Sequence, residues 1–240
     1  MREPLDRFRA TIACLPMLCL ACPSTAAEPG MAAFERLVID AQPPKNPWIK
    51  AVGDLDGDGD LDVIVGGVLW YENPRPNGDP GKGPWKVHRI GSHHTHDVEV
   101  ADLDKDGTPD VVVRGQSAFG SKQEGRRIVI FKQLSPTSWS SREIACPDGE
   151  GLKVADLNGD GRPDVVVARM HQGRSPQEVS VYLNADRGRK WTKLVVSTKG
   201  SHNIVVADLD GDGRPDILGA NHGGPFQPVE WWRNGLLHQP

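Results

Sequence analysis

The feature that most limits the fold is a nine-residue segment that occurs four times. Residues 54–62 read DLDGDGDLD, 102–110 DLDKDGTPD, 156–164 DLNGDGRPD and 208–216 DLDGDGRPD. Positions 1, 3, 5 and 9 of each copy carry carboxylate or amide oxygens, and position 6 is always Gly. Alternate residues of a tight loop point their oxygens at one centre, which suits a hard cation that needs six to eight of them. The Gly supplies the backbone freedom of the sharp turn. The expected ligands are Asp54, Asp56, Asp58 and Asp62 in the first loop, and Asp102, Asp104, Asp106 and Asp110 in the second. In the third they are Asp156, Asn158, Asp160 and Asp164, and in the fourth Asp208, Asp210, Asp212 and Asp216. Position 7 (Asp60, Thr108, Arg162, Arg214) varies in charge, so it is expected to offer its backbone carbonyl. The expected occupant is Ca2+, about four ions per chain. The third loop should bind most weakly, because Asn158 replaces a carboxylate.

Solvated acidic turns are the bland alternative, and one copy alone would suit that reading. Four copies with one oxygen pattern argue against it. An EF-hand fails because Val65, Val113, Val167 and Gly219 stand where its bidentate Glu would be. The flanks are not helical either. Alternating or apolar segments precede each loop and β-branched runs follow, which are strand signals. Each loop is therefore predicted to turn a β-hairpin.

The first aspartates, Asp54, Asp102, Asp156 and Asp208, recur at intervals of about fifty residues, the mark of a repeat architecture. Two more strands recur within each period. One is rich in aromatics and often ends in Asn, at 68–73, 128–133, 179–184 and 229–234. The next runs from an aromatic to an aliphatic residue, at 85–90, 139–144 and 191–196. Four antiparallel strands repeated radially predict an all-β, four-bladed β-propeller. The fourth repeat stops after its third strand, while FERLVI at 34–39 matches a fourth strand with nothing before it. The ring is expected to close by pairing 34–39 with 229–234, which leaves no exposed edge.

Composition agrees with a turn-rich β protein: 27 Gly, 20 Pro and no long amphipathic helical pattern. A net charge of −4 gives no sign of nucleic-acid binding. Arg2, Arg7 and Arg9 precede an apolar run to Ala21 and then the small residues Ser24 to Ala27. Residues 1–27 are therefore expected to be a signal peptide and 28–240 the propeller, with a secreted, periplasmic or surface location and no membrane span. Cleavage there leaves Cys146 as the single cysteine, so no internal disulfide is expected.

Tandem DxDxDG-containing repeats, each followed by a strand, resemble the FG-GAP/VCBS family, the propeller repeats also found in integrin α-subunit heads. The resemblance covers roughly residues 34–234 and implies a calcium-binding propeller. Family propellers more often have seven blades. A looser resemblance, through LWYEN at 69–73 and the His-bearing loops, is to the propeller part of aldos-2-ulose dehydratase-like proteins, which act on sugars.

Strand topology places the connections into each repeat, and those between its second and third strands, on the face opposite the acidic loops. Six residues before each loop stand Trp48, His96, Glu150 and His202. His171 and His222 lie in the longer connections of the same face, with Arg114 and Arg169 just before two of them. Variable loops on a rigid scaffold are the usual home of binding sites. His96, Glu150 and His202 are expected to converge near the axis, either as a Zn2+-type site or as a polar mouth for a hydroxylated or anionic ligand. The leading reading is a monomeric binding module for a carbohydrate or protein. The alternatives are a sugar-active lyase- or dehydratase-like enzyme and a structural surface protein.

Overall fold

Alternating and β-branched segments on both sides of each acidic loop form antiparallel strand pairs. The computed structural model describes residues 34–43, 49–66, 68–92, 95–115, 127–144, 151–169, 177–221 and 228–236. Residues 1–37 and 38–240 are separate compact units. Of the first, 34–37 are described and form no strand. The second holds fifteen strands, and no helix occurs among the described residues. Blade 1 is β1 (Lys50–Gly53), β2 (Asp62–Val65), β3 (Leu69–Glu72) and β4 (Lys86–Arg89). Blade 2 is β5 (Thr95–Ala101), β6 (Asp110–Gly115), β7 (Ile128–Ser135) and β8 (Ser138–Ile144). Blade 3 is β9 (Gly151–Ala155), β10 (Asp164–Ala168), β11 (Val179–Asn184) and β12 (Trp191–Ser197). Blade 4 is β13 (Ile204–Ala207), β14 (Asp216–Ala220) and β15 (Val229–Trp232). Each blade is an antiparallel meander in chain order, and each acidic loop joins its first two strands, as the hairpin reading requires. This is a four-bladed β-propeller architecture.

Sheets must bury their apolar faces, and here each blade does so against the next. The front of blade 1 (Ile64, Trp70) packs on the back of blade 2 (Val111, Phe131). The front of blade 2 (Val112, Ile130) packs on the back of blade 3 (Val165, Tyr182). Blade 3 (Val166, Val181) meets blade 4 (Ile217, Trp232) in the same way. Fully burying one such side chain contributes about 1.5–3 kcal/mol. The inner strands β1, β5, β9 and β13 pack side by side in that order. Gly53 makes one such approach possible, because a Cβ there would lie 2.6 Å from Val100 Cγ1.

The acidic loops latch these joints. The Leu at the second loop position is buried against the next blade: Leu55, Leu103 and Leu157. The Leu103 carbonyl accepts a bond from Asn184 Nδ2 at 2.7 Å, and the Leu157 carbonyl one from Asn234 Nδ2 at 2.8 Å. The Asn that ends the third strand of blades 3 and 4 thus grips the loop of the blade before it.

The expected closure through 34–39 is not formed. No strand occurs among residues 34–43, and the last sheet has three strands among the described residues. Ile39 instead packs on Val65, Leu69 and Tyr71 of blade 1, and the Tyr71 hydroxyl donates to Asp40 Oδ2 at 2.8 Å. Those contacts hold the segment on a blade face through side chains, where the sequence pattern anticipated backbone pairing.

Candidate metal centres and the opposite face

Each acidic loop is first a backbone scaffold. The position-1 carboxylate caps at least two loop N–H groups, and three in loops 3 and 4. Asp54 accepts from Gly57 (2.8 Å) and Gly59 (3.0 Å), Asp156 from Gly159 (2.8 Å) and Gly161 (2.7 Å), and Asp208 from Gly211 (2.8 Å) and Gly213 (2.9 Å). Asp102 accepts from Asp106 (3.1 Å) and Gly107 (2.9 Å). The position-9 carboxylate is a buried staple. Asp164 accepts from the Leu157 N–H at 2.9 Å and the Asn184 N–H at 2.8 Å, and Asp62 and Asp216 repeat the pattern. Burial pushes Asp164 up to about 6 and Asp110 up to about 7, and it also raises Asp62. At Asp216 burial raises the pKa too, but the N–H groups of Asn234 and Leu209 outweigh it and the net shift is downward.

Carboxylate oxygens of three loops also converge. One ligand atom from each of Asp54, Asp56 and Asp58 lies within 4.8 Å of the others, as do those of Asp102, Asp104 and Asp106, and those of Asp208, Asp210 and Asp216. Asp104 Oδ1 is buried with no hydrogen-bond partner among the described residues. An orphaned buried carboxylate oxygen is costly unless a cation satisfies it. All-oxygen donors on a flexible loop suit Ca2+ better than a softer metal. In the third loop the Asn158 amide donates to Asp160 Oδ2 at 2.9 Å, so one donor there is already engaged.

The loops differ in what lies beside them. One column of the third strands, just before the terminal Asn or Gln, reads Glu72, Lys132, Leu183 and Arg233. Lys132 Nζ bonds Asp104 and, at 2.6 Å, Asp106. Arg233 Nε lies 2.5 Å from Asp210, and Arg214 Nη2 lies 2.5 Å from Asp212. Arg162 pairs with Asp160. Among the described residues no cation pairs with Asp54, Asp56 or Asp58, whereas Arg75 lies 3.3 Å from Asp60. The Asp56 pKa is raised, first by burial and then by its neighbours Asp58, Glu72 and Asp54. Carboxylates that repel one another in this way bind a divalent ion most favourably. The alternation of Lys132 and Arg233 with Glu72 is visible in the sequence, but its aim at the loops is a product of strand pairing.

On the opposite face the described residues cover less. Glu150, His171 and His222 lie outside them, as does Cys146. His96 is in β5, where the register on β6 shifts between Thr95 and Asp97. His202 precedes β13, and its N–H donates to the Ala220 carbonyl at 2.9 Å. Two arginines at strand ends of this face are buried, Arg114 in β6 and Arg169 just after β10. The Arg169 N–H donates to the Glu178 carbonyl at 3.0 Å, and its carbonyl accepts from Ser201 at 2.9 Å. No helix among the described residues is long and apolar enough to cross a membrane.

Comparison with known proteins agrees with this geometry. The chain is 26% identical over 216 residues to integrin alpha pat-2 of Caenorhabditis briggsae, covering 71% of this chain and 17% of the relative. It is 24% identical over 230 residues to the rhamnogalacturonan exolyase YesX of Bacillus subtilis, covering 70% and 37%. It is 23% identical over 201 residues to phosphatidylinositol-glycan-specific phospholipase D of Mus musculus, covering 79% and 20%. The chain thus spans between a sixth and two fifths of the length of these relatives. The FG-GAP-like repeat family matches residues 54–113 and 156–219, each segment beginning on an acidic loop. With half of its length matched, and the matched segments folded as propeller blades, the chain belongs to the FG-GAP-like repeat family.

Proposed function

We propose that this chain is an exported, calcium-stabilised propeller that binds a carbohydrate or protein ligand on the face opposite the acidic loops. The observation that carries the calcium reading is the convergence of three carboxylates in each of three loops, with a buried unpartnered oxygen at Asp104. Loops 1, 2 and 3 also latch two blades each, so an ion that tightens one of them tightens a joint, and part of its binding energy becomes folding energy. The first loop is the tightest site, because Glu72 stands where loops 2 and 4 meet Lys132 and Arg233. Export fits the leader-like residues 1–27.

The variable, His-bearing loops of the opposite face support a ligand site there, since loops on a rigid scaffold are the usual home of binding sites. The similarity to a rhamnogalacturonan exolyase favours a second reading, an enzyme acting on an acidic polysaccharide. Calorimetry on chelated protein tests the calcium reading: uptake of about four ions is expected, and no uptake would overturn it. Incubation with rhamnogalacturonan separates the two ligand-face readings. Retention without chain shortening supports a binding module, and shortening supports the enzyme.

A further inference from the structure

Three joints in this molecule follow one rule, and the two outer blades each expose one half of a fourth. A joint sets the front of one blade on the back of the next and buries the loop Leu; in the joints of blades 2 and 3 and of blades 3 and 4 an Asn of the following blade also bonds that Leu carbonyl. At the front of blade 4 the pieces are present and uncovered. Leu209 is 44% exposed, where Leu55, Leu103 and Leu157 are buried. Trp231 is 49% exposed, where the column residues Trp70, Ile130 and Val181 are buried. Val205 and Val229 beside it are exposed as well. Cross-strand pairing aligns Val205, Leu218 and Trp231 in one row.

The back of blade 1 holds the other half. Val52, Val63, Tyr71 and Val87 form one cross-strand row, matching the backs of blades 2, 3 and 4. Val52 and Val87 are exposed. Ile39 covers the neighbouring row of Val65 and Leu69 and leaves these two valines open. Asn73 Nδ2 reaches the Leu61 carbonyl of its own loop at 3.0 Å. Asn184 and Asn234 each add a carbonyl of the preceding blade to that bond. Among the described residues no apolar cluster joins blade 4 to blade 1.

We infer that the front of blade 4 docks on the back of blade 1 of a second copy, so that two chains close head-to-tail into one ring. A second copy brings both missing halves at once. Leu209 and Trp231 of one chain meet Val52, Val63 and Val87 of the other, and Asn73 gains the Leu209 carbonyl as its second acceptor. The new contact continues the three joints already formed within the chain, with the same residue columns. Head-to-tail contacts either close into rings or run on as filaments, and two copies that use both faces twice leave no face open.

Sedimentation equilibrium and light scattering on the purified chain test this. Twice the chain mass is expected. Trp231→Asp and Leu209→Asp, both at exposed positions, should each yield monomers with unchanged circular dichroism. Val52→Glu combined with Val87→Glu should do the same from the other side. Mixing the two kinds of variant restores one intact joint, so a heterodimer should form that neither makes alone. A wild-type monomer at every concentration would overturn the inference, and so would mass that grows without limit or Asp variants that stay dimeric.

Discussion

The third strands of blades 3 and 4 are close copies, VSVYLN at 179–184 and VEWWRN at 229–234, yet they live in different surroundings. Val179 is 0% exposed and Val229 78%. Val181 lies in the joint between blades 3 and 4, while Trp231, in the same column, faces outward. Local pattern makes both segments strands and sets which side chains share a face. Whether a face is buried depends on whether another blade stands against it. Blade 3 has neighbours on both sides. Blade 4 has one, and it also lacks a fourth strand beside β15 among the described residues.

A charge placed in the same column of blades 3 and 4 should have the most unequal effects. Val181→Asp buries a carboxylate without a partner and should destabilise the fold by about 3–5 kcal/mol. Trp231→Asp, compared with wild type at a chain concentration low enough to keep both monomeric, should cost far less, about 0.5 kcal/mol, because the residue is half-exposed there. Urea unfolding with matched m-values measures both. Equal losses would mean that blade 4 is covered by something in the isolated chain.

The latch should show a smaller contrast. Asn184→Ala removes donors to the Leu103 and Pro163 carbonyls and the acceptor of the Gly188 N–H, two of the three bonds buried and one partly buried. A loss of about 2–3 kcal/mol is expected, since groups left unsatisfied bear the full desolvation cost. In the monomeric chain Asn73→Ala breaks bonds within blade 1 alone, to the Leu61 carbonyl and the Arg75 N–H, and should cost about 1 kcal/mol.

Loops 3 and 4 differ by the side chain that follows the same column. Leu183 is neutral, whereas Arg233 reaches Asp210 and Asp212. Arg233→Leu should raise calcium affinity at loop 4 by a few fold, because a partly exposed cation near the site is worth on the order of 1 kcal/mol. Titration calorimetry reads the change, and no change would mean that Arg233 swings clear when the ion binds.

The smallest effect concerns an ion pair that blade 3 has and blade 4 cannot build without a fourth strand. Lys193 on β12 bonds Glu178 and, ahead of the opposing effect of burial, holds its carboxyl below the usual range. The folded value therefore lies under the unfolded one, so the pair contributes above the ordinary Glu range and is lost as pH falls through the folded value. Lys193→Met should raise the Glu178 titration midpoint in an NMR pH series.

Much of this was open to reading in the chain itself. The oxygen spacing of the loops, the β-branched runs around them and the fifty-residue period are local signals, and each hairpin formed where they placed it. The terminal Asn of the third strands was visible as a recurrence, but its role as an interblade latch was not. That role depends on which carbonyl lies across a joint, such as the Leu103 carbonyl for Asn184, 81 residues away. The same limit applied to Lys132, which meets Asp104 across 28 residues of sequence through strand pairing. The expected closure through 34–39 rested on a pattern match alone, and the side chains of Ile39 and Asp40 found blade 1 instead.

What the sequence determined by itself is the blade: alternation with period two, a turn built by Asp and Gly, and a loop rich in hard oxygen donors all act over fewer than about a dozen residues. The fate of each blade's faces, the partners of the latch and the cation set against each loop were settled by packing. Those depend on contacts between segments tens of residues apart. A strand's own pattern says which side chains share a face and is silent about what covers them.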